Sequence, residues 1–249
     1  MSNFVINPYT AITVLYPDSM GTDADLINVN VTLNETDEHL GSGCWDFNGT
    51  NAYVNANPLL AFSTTVGSLS MWVYTPTGTN DYYVLTFGDA SANEFIAITN
   101  EVGKARVHCR KASTDQWKSE SAADSWTYDA WHNIIIVQNG SAVKWYWDGS
   151  EQTSFSVTTD KSAWISDLTG LDNVRIGAKN VSSQGTGGFG ESLTDSTCFW
   201  NTAISSAIVD EVYNSGTGIT IPKISSTVGI RAFYSCDSID MENNALPIS

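Results

Sequence analysis

The chain is poor in positive charge. Its 249 residues include 11 Lys and Arg against 27 Asp and Glu, which gives a net charge of −16. A protein of this charge repels phosphate backbones and anionic lipid surfaces, so nucleic acid is not an expected partner. The surplus carboxylates either keep the protein soluble or bind cations, and composition does not choose between these two readings.

Long apolar runs and targeting signals are also missing. No stretch approaches the roughly 18 apolar residues that a bilayer-spanning helix needs, so membrane insertion is not expected. Residues 1–8 lack the basic and apolar regions of a secretory signal peptide. The sequence therefore predicts a soluble protein with no signal for secretion by that route.

Cysteine is sparse and widely spaced. The four cysteines are Cys44, Cys109, Cys198 and Cys236, and no two of them form a C-x-x-C pair. This spacing argues against a zinc ribbon and against a thioredoxin-type redox pair. Buried free thiols are favoured over disulfides.

Recognisable catalytic motifs are absent as well. The three histidines, His39, His108 and His132, adjoin neither a Gly-x-Ser-x-Gly sequence nor a cysteine-nucleophile motif. The carboxylates that retaining glucanases carry along one strand have no counterpart, because residues 35–38 read as a polar loop and Asp210-Glu211 fall in a predicted helix. We therefore predict no catalytic residues.

The clearest structural signal is a β-hairpin in residues 131–149. Runs of β-branched and aromatic residues at 134–137 and 143–147 flank Asn139-Gly140, a dipeptide typical of tight hairpin turns. Alternation places Val143, Trp145 and Trp147 on one face, which predicts a strand buried on one side only.

Similar short runs recur along the chain. Strands are predicted at 11–18, 26–31, 44–54 (two strands around an Asn-Gly turn), 69–74, 82–88, 94–98, 105–110, 154–157, 173–178, 193–200 and 229–237. Residues 111–130 read as weakly structured or edge chain, 179–190 as a flexible glycine-rich loop, and 205–213 as the one helix. At least ten strands without a βαβ rhythm predict an all-β fold, an antiparallel two-sheet sandwich with one short C-terminal helix. We expect a single domain over 1–249, with extra strands in 1–30 and 217–249. Both termini are expected in the same sheet region.

The order of these segments resembles the laminin-G-like branch of the concanavalin A-like lectin and glucanase superfamily. The matching pieces are WDFNGTNAYV at 45–54, LSMWVY at 69–74, Trp131-His132 running to WYWDG at 145–149, NVRIGA at 173–178, the glycine-rich loop, Asp195 leading to FWN at 199–201, and VYN at 212–214. The resemblance covers about residues 11–216. It implies a jelly-roll sandwich whose curved face or rim loops bind glycans, commonly with a structural calcium ion.

One departure from the family bears on the metal. The family usually carries Ile-Asp-Asp or Ile-Asp-Glu before Val-Arg-Ile-Trp, whereas this chain has LTDSTCFW at 193–200. Only Asp195 and the aromatic end remain, which puts a metal at that position in doubt. Calcium takes carboxylate and backbone oxygens from loops, and the candidate ligands are Asp89, Glu94 and Asp195, with turn capping as the alternative role.

Glycan binding requires aromatic faces beside polar side chains in a concavity. The candidate carbohydrate-binding residues are Trp117, Trp126, Tyr128 and Tyr146, with coverage of the open side of the sandwich as the alternative role for the first three.

These observations favour a non-enzymatic lectin-like recognition or structural module. We expect it on the surface of a virus or phage particle, as a decoration or attachment protein, or elsewhere outside the cell. Its expected partners are a glycan or cell-surface polysaccharide and other particle subunits. A laminarinase-like glycoside hydrolase and a secreted carbohydrate-binding module remain the alternatives.

Overall fold

The computed structural model describes residues 12–13, 27–62, 64–79, 81–101, 103–219 and 223–235. Most of the predicted first strand and Cys236 lie outside these residues. Within them, short strands alternate with turns, and one α-helix follows the last long strand of the laminin-G-like segment.

The elements, in chain order, have the following bounds. The strands are β1 (Ile12–Thr13), β2 (Ile27–Val29), β3 (Thr32–Asn34), β4 (Cys44–Asn48), β5 (Tyr53–Asn55), β6 (Gly67–Tyr74), β7 (Tyr82–Gly88), β8 (Phe95–Glu101), β9 (Lys104–Lys111), β10 (Thr114–Glu120), β11 (Trp131–Gln138), β12 (Val143–Trp147), β13 (Ser150–Glu151), β14 (Phe155–Thr158), β15 (Asn173–Ile176), β16 (Lys179–Asn180), β17 (Thr186–Gly187), β18 (Glu191–Trp200) and β19 (Ile230–Ser235). The helix α1 is Ser206–Tyr213, and 3-10 turns cover Asn57–Phe62, Ile165–Asp167 and Asn214–Gly216.

Two large antiparallel sheets form a sandwich, as predicted. One has nine strands in the order β1-β19-β18-β6-β11-β12-β13, with β4 also on β18 and β3 on β4. The other has eight strands in the order β14-β10-β9-β8-β7-β15-β5-β2, and β16 pairs with β17 in a separate hairpin. Because β1 pairs with β19, the described ends of the chain lie in the same sheet, which confirms that prediction.

The predicted hairpin supplies two central strands of the nine-stranded sheet. Its register runs from Ile134 opposite Trp147 to Gln138 opposite Val143, so four residues rather than two form the connection. Alternate side chains such as Ile136 and Trp145 enter the core between the sheets and are fully buried. Burial of such side chains is the main stabilising contribution of a sandwich.

The outer face of the hairpin is also covered, contrary to prediction. Helix α1 begins after Ser205, whose side chain accepts a hydrogen bond from the backbone N–H of Ile208. Its apolar side packs with Ile135, Val137 and Tyr146 in a second cluster outside the main core. The outer side of β12 is therefore covered at Tyr146, while Lys144 on the same side stays exposed.

Two other predictions are corrected by the pairing of strands. The stretch 44–54 does contain strands β4 and β5 around Asn48-Gly49, but β4 pairs with β18 and β5 with β15, so they belong to different sheets. The stretch 111–130 is not weakly structured throughout, because β10 pairs with both β9 and β14.

Candidate functional site

The structure corrects the roles predicted for the tryptophans at 117 and 126. Trp117 is 0% exposed and its indole N–H donates to the carbonyl of Ala163 at 2.8 Å. Trp126 is 1% exposed and donates to Thr75 Oγ1 at 3.0 Å. Both rings fill the core, so neither offers a face to a sugar.

The two predicted tyrosines lie in different surroundings. Tyr146 is 7% exposed beneath α1, so its ring is not available as a sugar platform. Tyr128 is 36% exposed, in the loop between β10 and β11. Among the four predicted aromatic residues, Tyr128 alone presents a ring to solvent, and its contact with a glycan stays a prediction.

The carboxylates predicted as metal ligands are occupied by hydrogen-bond donors. Asp89 Oδ1 accepts from the backbone N–H groups of Ser91 and Ala92, at 2.7 and 3.0 Å. The two oxygens of Glu94 accept from the N–H groups of Gly170 and Ala112, both at 3.0 Å. Amide groups present positive partial charge, which suits a carboxylate and disfavours a cation at the same oxygen.

Asp195 is likewise a structural carboxylate. It is 1% exposed, and its Oδ2 accepts from the backbone N–H groups of His39 and Leu40, at 3.2 and 2.8 Å. This anchors the loop that carries His39 against the ring of Trp72, at 3.9 Å between centroids. Within the described ranges no three His, Cys, Asp or Glu side chains form a group that could hold a metal, so Asp89, Glu94 and Asp195 do not fit the expected calcium site.

His132 also has a structural role. Its Nδ1 lies 2.7 Å from Asp148 Oδ2, its Nε2 lies 3.0 Å from Thr127 Oγ1, and its ring stacks on Trp147 at 4.5 Å. Asp148 also accepts from the backbone N–H of Asn133, so the histidine and this carboxylate tie the start of β11 to the turn after β12.

The sequence-based search did not identify a group of basic side chains on the outer face of the eight-stranded sheet. Along β9, Ala105, Val107 and Cys109 point into the core, and the intervening side chains point outward. With their neighbours on β10, β15 and β16 they form what we call the basic face: Lys104, Arg106, His108, Arg110, Lys118, Arg175 and Lys179.

Carboxylates on the same face neutralise its β9 and β10 part. Arg106 lies 2.7 Å from Glu120 and also pairs with Glu101. Asp115 bridges Arg110 and His108, at 2.5 and 2.8 Å. The Arg106–Glu120 and Arg110–Asp115 pairs join directly opposed residues of β9 and β10, the arrangement in which cross-strand charge pairs stabilise a sheet.

The ion pairs also set the ionisation of these carboxyl groups. Hydrogen bonds from Arg110 and His108 lower the pKa of Asp115 to about 2. Burial opposes ionisation of Glu120, but its contacts with Arg106 and the nearby lysines outweigh burial and lower its pKa. Both side chains are therefore anions at neutral pH.

Arg175 lies at the other end of the basic face and is only 8% exposed. Its Nη1 donates to Asn57 Oδ1 at 2.9 Å and to its own neighbour's carbonyl, Val174 O, at 3.0 Å. The guanidinium carbon lies 5.3 Å from the centre of the half-buried Tyr53 ring. Burial lowers the pKa of Arg175, because its favourable charge interactions offset the cost of burying the guanidinium only in part.

Lys179 of β16 and Tyr83 of the neighbouring β7 form a second cation–tyrosine pair. Lys179 Nζ lies 4.8 Å from the centre of the Tyr83 ring. The residues predicted as a flexible glycine-rich loop form the β16–β17 hairpin, which folds back over the sheet: Asn180 O accepts from Asn173 Nδ2 at 2.9 Å, and Val181 packs on Phe95 and Ala97. This hairpin brings Lys179 over the face that carries Arg175.

A sequence signal for part of this face exists. Residues 104–110 alternate strictly between charged or histidine side chains and small apolar ones, the pattern of a strand with one polar face. Arg175 and Lys179 carry no comparable signal, because their proximity depends on the pairing of β15 with β5 and β7 and on the fold of the hairpin.

Comparison with known proteins identifies the family. Residues 48–210 match the laminin-G-like family of the concanavalin A-like lectin/glucanases superfamily. The chain belongs to this superfamily. The resemblance inferred from the sequence is thereby confirmed, together with the sandwich architecture. No curated protein matches the sequence significantly.

Solved structures with the same fold are distant in sequence. The NanB sialidase of Streptococcus pneumoniae has a TM-score of 0.56 at 17% identity, over 67% of this chain and 27% of the sialidase. The CBM40 domain of Ruminococcus gnavus IT-sialidase, bound to α2,3-sialyllactose, has a TM-score of 0.54 at 13% identity, over 84% of this chain and 100% of that domain.

A receptor-binding domain is also similar. That of the botulinum neurotoxin C/D mosaic serotype has a TM-score of 0.54 at 13% identity, over 84% of this chain and 52% of that one. The chain thus spans about a quarter of the sialidase and half of the toxin domain. None of the described helices is long and apolar enough to cross a bilayer.

Proposed function

We propose that this protein is a non-enzymatic carbohydrate-recognition module and that the basic face is its binding surface. The observation that carries the proposal is the pair of partly exposed tyrosines, Tyr53 and Tyr83, each beside a cation on one sheet face. Tyrosine rings cover the apolar side of a sugar, and adjacent charged donors and acceptors bind its hydroxyl groups.

The fold and its relatives support this proposal. A carbohydrate-binding module bound to sialyllactose and a toxin receptor-binding domain share the architecture. On the basic face, Arg106, Arg110, Asp115 and Glu120 are held in place by mutual ion pairs. Such pre-organised polar side chains bind hydroxyl groups without a further loss of side-chain entropy.

The ionisation of the basic face disfavours hydrolysis there. A glycosidase needs one carboxyl group that stays protonated to act as acid. The pKa values of Asp115 and Glu120 are lowered instead, so both are ionised at neutral pH. Asp46, whose pKa is raised by burial and by Glu191 and Asp37, lies on β4 of the other sheet.

A glycan array with three variants tests the site. We expect the wild-type protein to bind a subset of glycans and Tyr83→Ala to weaken that binding about five- to tenfold, because an aromatic contact contributes roughly 1–1.5 kcal/mol. Tyr53→Ala should act in the same direction. Tyr128→Ala tests the contact that the sequence predicts in the loop between β10 and β11, and binding should be unchanged in this variant if the basic face is the site.

Two results would count against this assignment. Loss of binding in Tyr128→Ala, with Tyr83→Ala unaffected, would move the site to the loop between β10 and β11. If the protein folds cooperatively but binds no glycan, the proposed function is refuted.

We further propose that the module acts on a particle surface, as a decoration or attachment protein of a virus or phage and in contact with other particle subunits. The support is the pairing of a recognition fold with a strongly acidic composition, which keeps densely arrayed copies soluble. Immunogold labelling of intact particles tests it, and label confined to secreted soluble material would favour a secreted carbohydrate-binding module.

A further inference from the structure

The positive charge of this acidic protein is concentrated on one surface. Six of its 11 Lys and Arg residues lie on the basic face, and the rest of the molecule carries a large negative excess. Because the net charge of the protein is negative, its overall electric field repels anions. Positive side chains on such a protein therefore act only on groups close to them. Their concentration therefore calls for a local explanation.

Ion pairing explains the β9 and β10 part of the face but not the β15 end. Lys104, Arg106 and Arg110 each have a carboxylate within ion-pair distance. Across the described residues, neither Arg175 nor Lys179 has such a partner, and each instead contacts a tyrosine ring. Both cations therefore lack an ion pair at the β15 end of the face, although the charge of Asp172 acts on Arg175 from a longer distance.

Of the two cations, Arg175 gives the stronger evidence for a ligand. Its Nε is fully buried and has no hydrogen-bond partner in the part of the chain that the structure describes. The residue opposite it on β7 is Thr86, whose Oγ1 is also buried without a partner. Buried polar groups in folded proteins are normally paired. These two groups belong to directly opposed residues on the outer face of the sheet, so a ligand group that reaches them would supply the missing partner.

We propose that the ligand carries a carboxylate or sulfate group, and that this anion binds at Arg175 and Lys179 while the sugar ring contacts Tyr53 and Tyr83. The ligand class is therefore an acidic glycan. A guanidinium is suited to bidentate contact with planar carboxylates and with sulfate oxygens. This inference rests on the proposed function, because it specifies the ligand of the same surface.

The carboxylates around the site limit the number of negative charges that the ligand can carry. Glu101, Asp115 and Glu120 line the rest of the basic face, and the net charge is −16. A densely charged polyanion would be repelled by these carboxylates and by the surrounding surface. The site is therefore suited to a single acidic sugar within an otherwise neutral glycan.

Paired glycans that differ only in the anion provide the test. We would measure binding of α2,3-sialyllactose against lactose, and of galactose 6-sulfate against galactose, by isothermal titration calorimetry at 50 and 300 mM NaCl. The expected result is at least tenfold tighter binding of one acidic member than of its neutral match, weakened by salt. The sialyl and sulfo pairs separate the two sources of anion.

Four variants locate the anion. Lys179→Gln and Arg175→Gln should each abolish the preference for the acidic glycan, with retained folding checked by thermal unfolding and Arg175→Lys as a charge-conserving second variant. Lys144→Gln removes the same charge from the nine-stranded sheet, where Lys144 pairs with Glu151, and should keep the preference.

Each other outcome overturns the inference. Equal affinity for acidic and neutral members, or an equal loss in Lys144→Gln, would refute an anion site at Arg175 and leave carbohydrate recognition standing. Absence of binding to all four glycans, together with an empty glycan array, would refute the inference and the proposed function together.

Discussion

Single residues on the basic face link its charge to the stability of the fold. Asp115 accepts from Arg110 and His108, and burial lowers the pKa of His108 although Asp115 partly offsets that effect. The carboxylate thereby holds two side chains of the proposed binding surface in fixed positions. Loss of this one group should be measurable both as stability and as altered recognition.

Asp115→Asn should lower the free energy of unfolding at neutral pH by about 1–2 kcal/mol. The pKa of Asp115 is about 2 in the folded state against an ordinary value of 3.8, so its ionised form stabilises the fold above about pH 3.8. That contribution is lost as the pH falls from 3.8 towards 2. Urea unfolding at pH 6 and at pH 2.5 should therefore show a difference between variant and wild type that shrinks at the lower pH.

A matched substitution controls for charge alone. Asp210→Asn changes an exposed carboxylate on α1 and should have a smaller effect at both values. If Asp115→Asn were equally destabilising at pH 6 and pH 2.5, the ion pairs of Asp115 would not be the cause.

Among the elements, the β16–β17 hairpin is decisive for the proposed site because it places Lys179. It is held by main-chain contacts such as Tyr83 N donating to Gly188 O at 2.9 Å. Two of its glycines have positive φ angles, +71° at Gly185 and +67° at Gly188. They differ in what surrounds them, which allows backbone strain to be separated from packing.

Gly188→Ala should destabilise the protein more than Gly185→Ala does. Both substitutions force an L-residue into a left-handed conformation, at a cost of about 1 kcal/mol. A Cβ at Gly188 would also lie 2.6 Å from Tyr83 Cδ2, whereas one at Gly185 would meet nothing within 4 Å. Thermal unfolding should show an additional loss of about 1–2 kcal/mol for Gly188→Ala, with weaker glycan binding through the displaced Tyr83.

Equal melting temperatures for the two glycine variants would contradict the close packing of the hairpin on Tyr83. Unchanged glycan binding in a clearly destabilised Gly188→Ala variant would instead separate the hairpin from recognition.

At the scale of the whole molecule, the fold buries the three cysteines that the structure describes. Cys44, Cys109 and Cys198 are free and buried, which confirms the expectation of buried free thiols for these three. Burial, with nearby carboxylates for Cys44 and Cys109, raises the pKa of all three thiols, so little reactive thiolate forms in the native protein.

Thiol reactivity should therefore report global unfolding. With a disulfide reagent such as DTNB in reducing-agent-free buffer, we expect these three cysteines to react slowly in the native state and at once in 6 M guanidinium chloride. Mass spectrometry of the labelled peptides identifies each site. Rapid native labelling of Cys109 would mean that the two sheets separate far more readily than their packing indicates. Rapid native labelling of Cys198 would mean instead that the cluster under α1 opens.

The sequence alone predicted the strands whose character is local. Strand β7 (Tyr82–Gly88) and helix α1 follow from alternation, β-branched content and a serine cap, which depend on neighbours within a few residues. The order of such segments was sufficient to predict the superfamily and its two-sheet architecture. The turn at Asn48-Gly49 was also predicted from the sequence. It too depends on near neighbours, because the side chain of Asn48 accepts hydrogen bonds from the backbone N–H groups of the residues that follow.

Only the tertiary structure decided which segments meet. It assigned β4 and β5 to different sheets, buried Trp117 and Trp126, covered Tyr146 with α1, and turned the carboxylates of Asp89, Glu94 and Asp195 towards backbone N–H groups. It also brought Arg175 and Lys179 to the tyrosines of β5 and β7. A tryptophan in a core and a tryptophan on a sugar-binding surface look alike in the sequence. Which of the two it is depends on strand pairing between residues far apart in the chain.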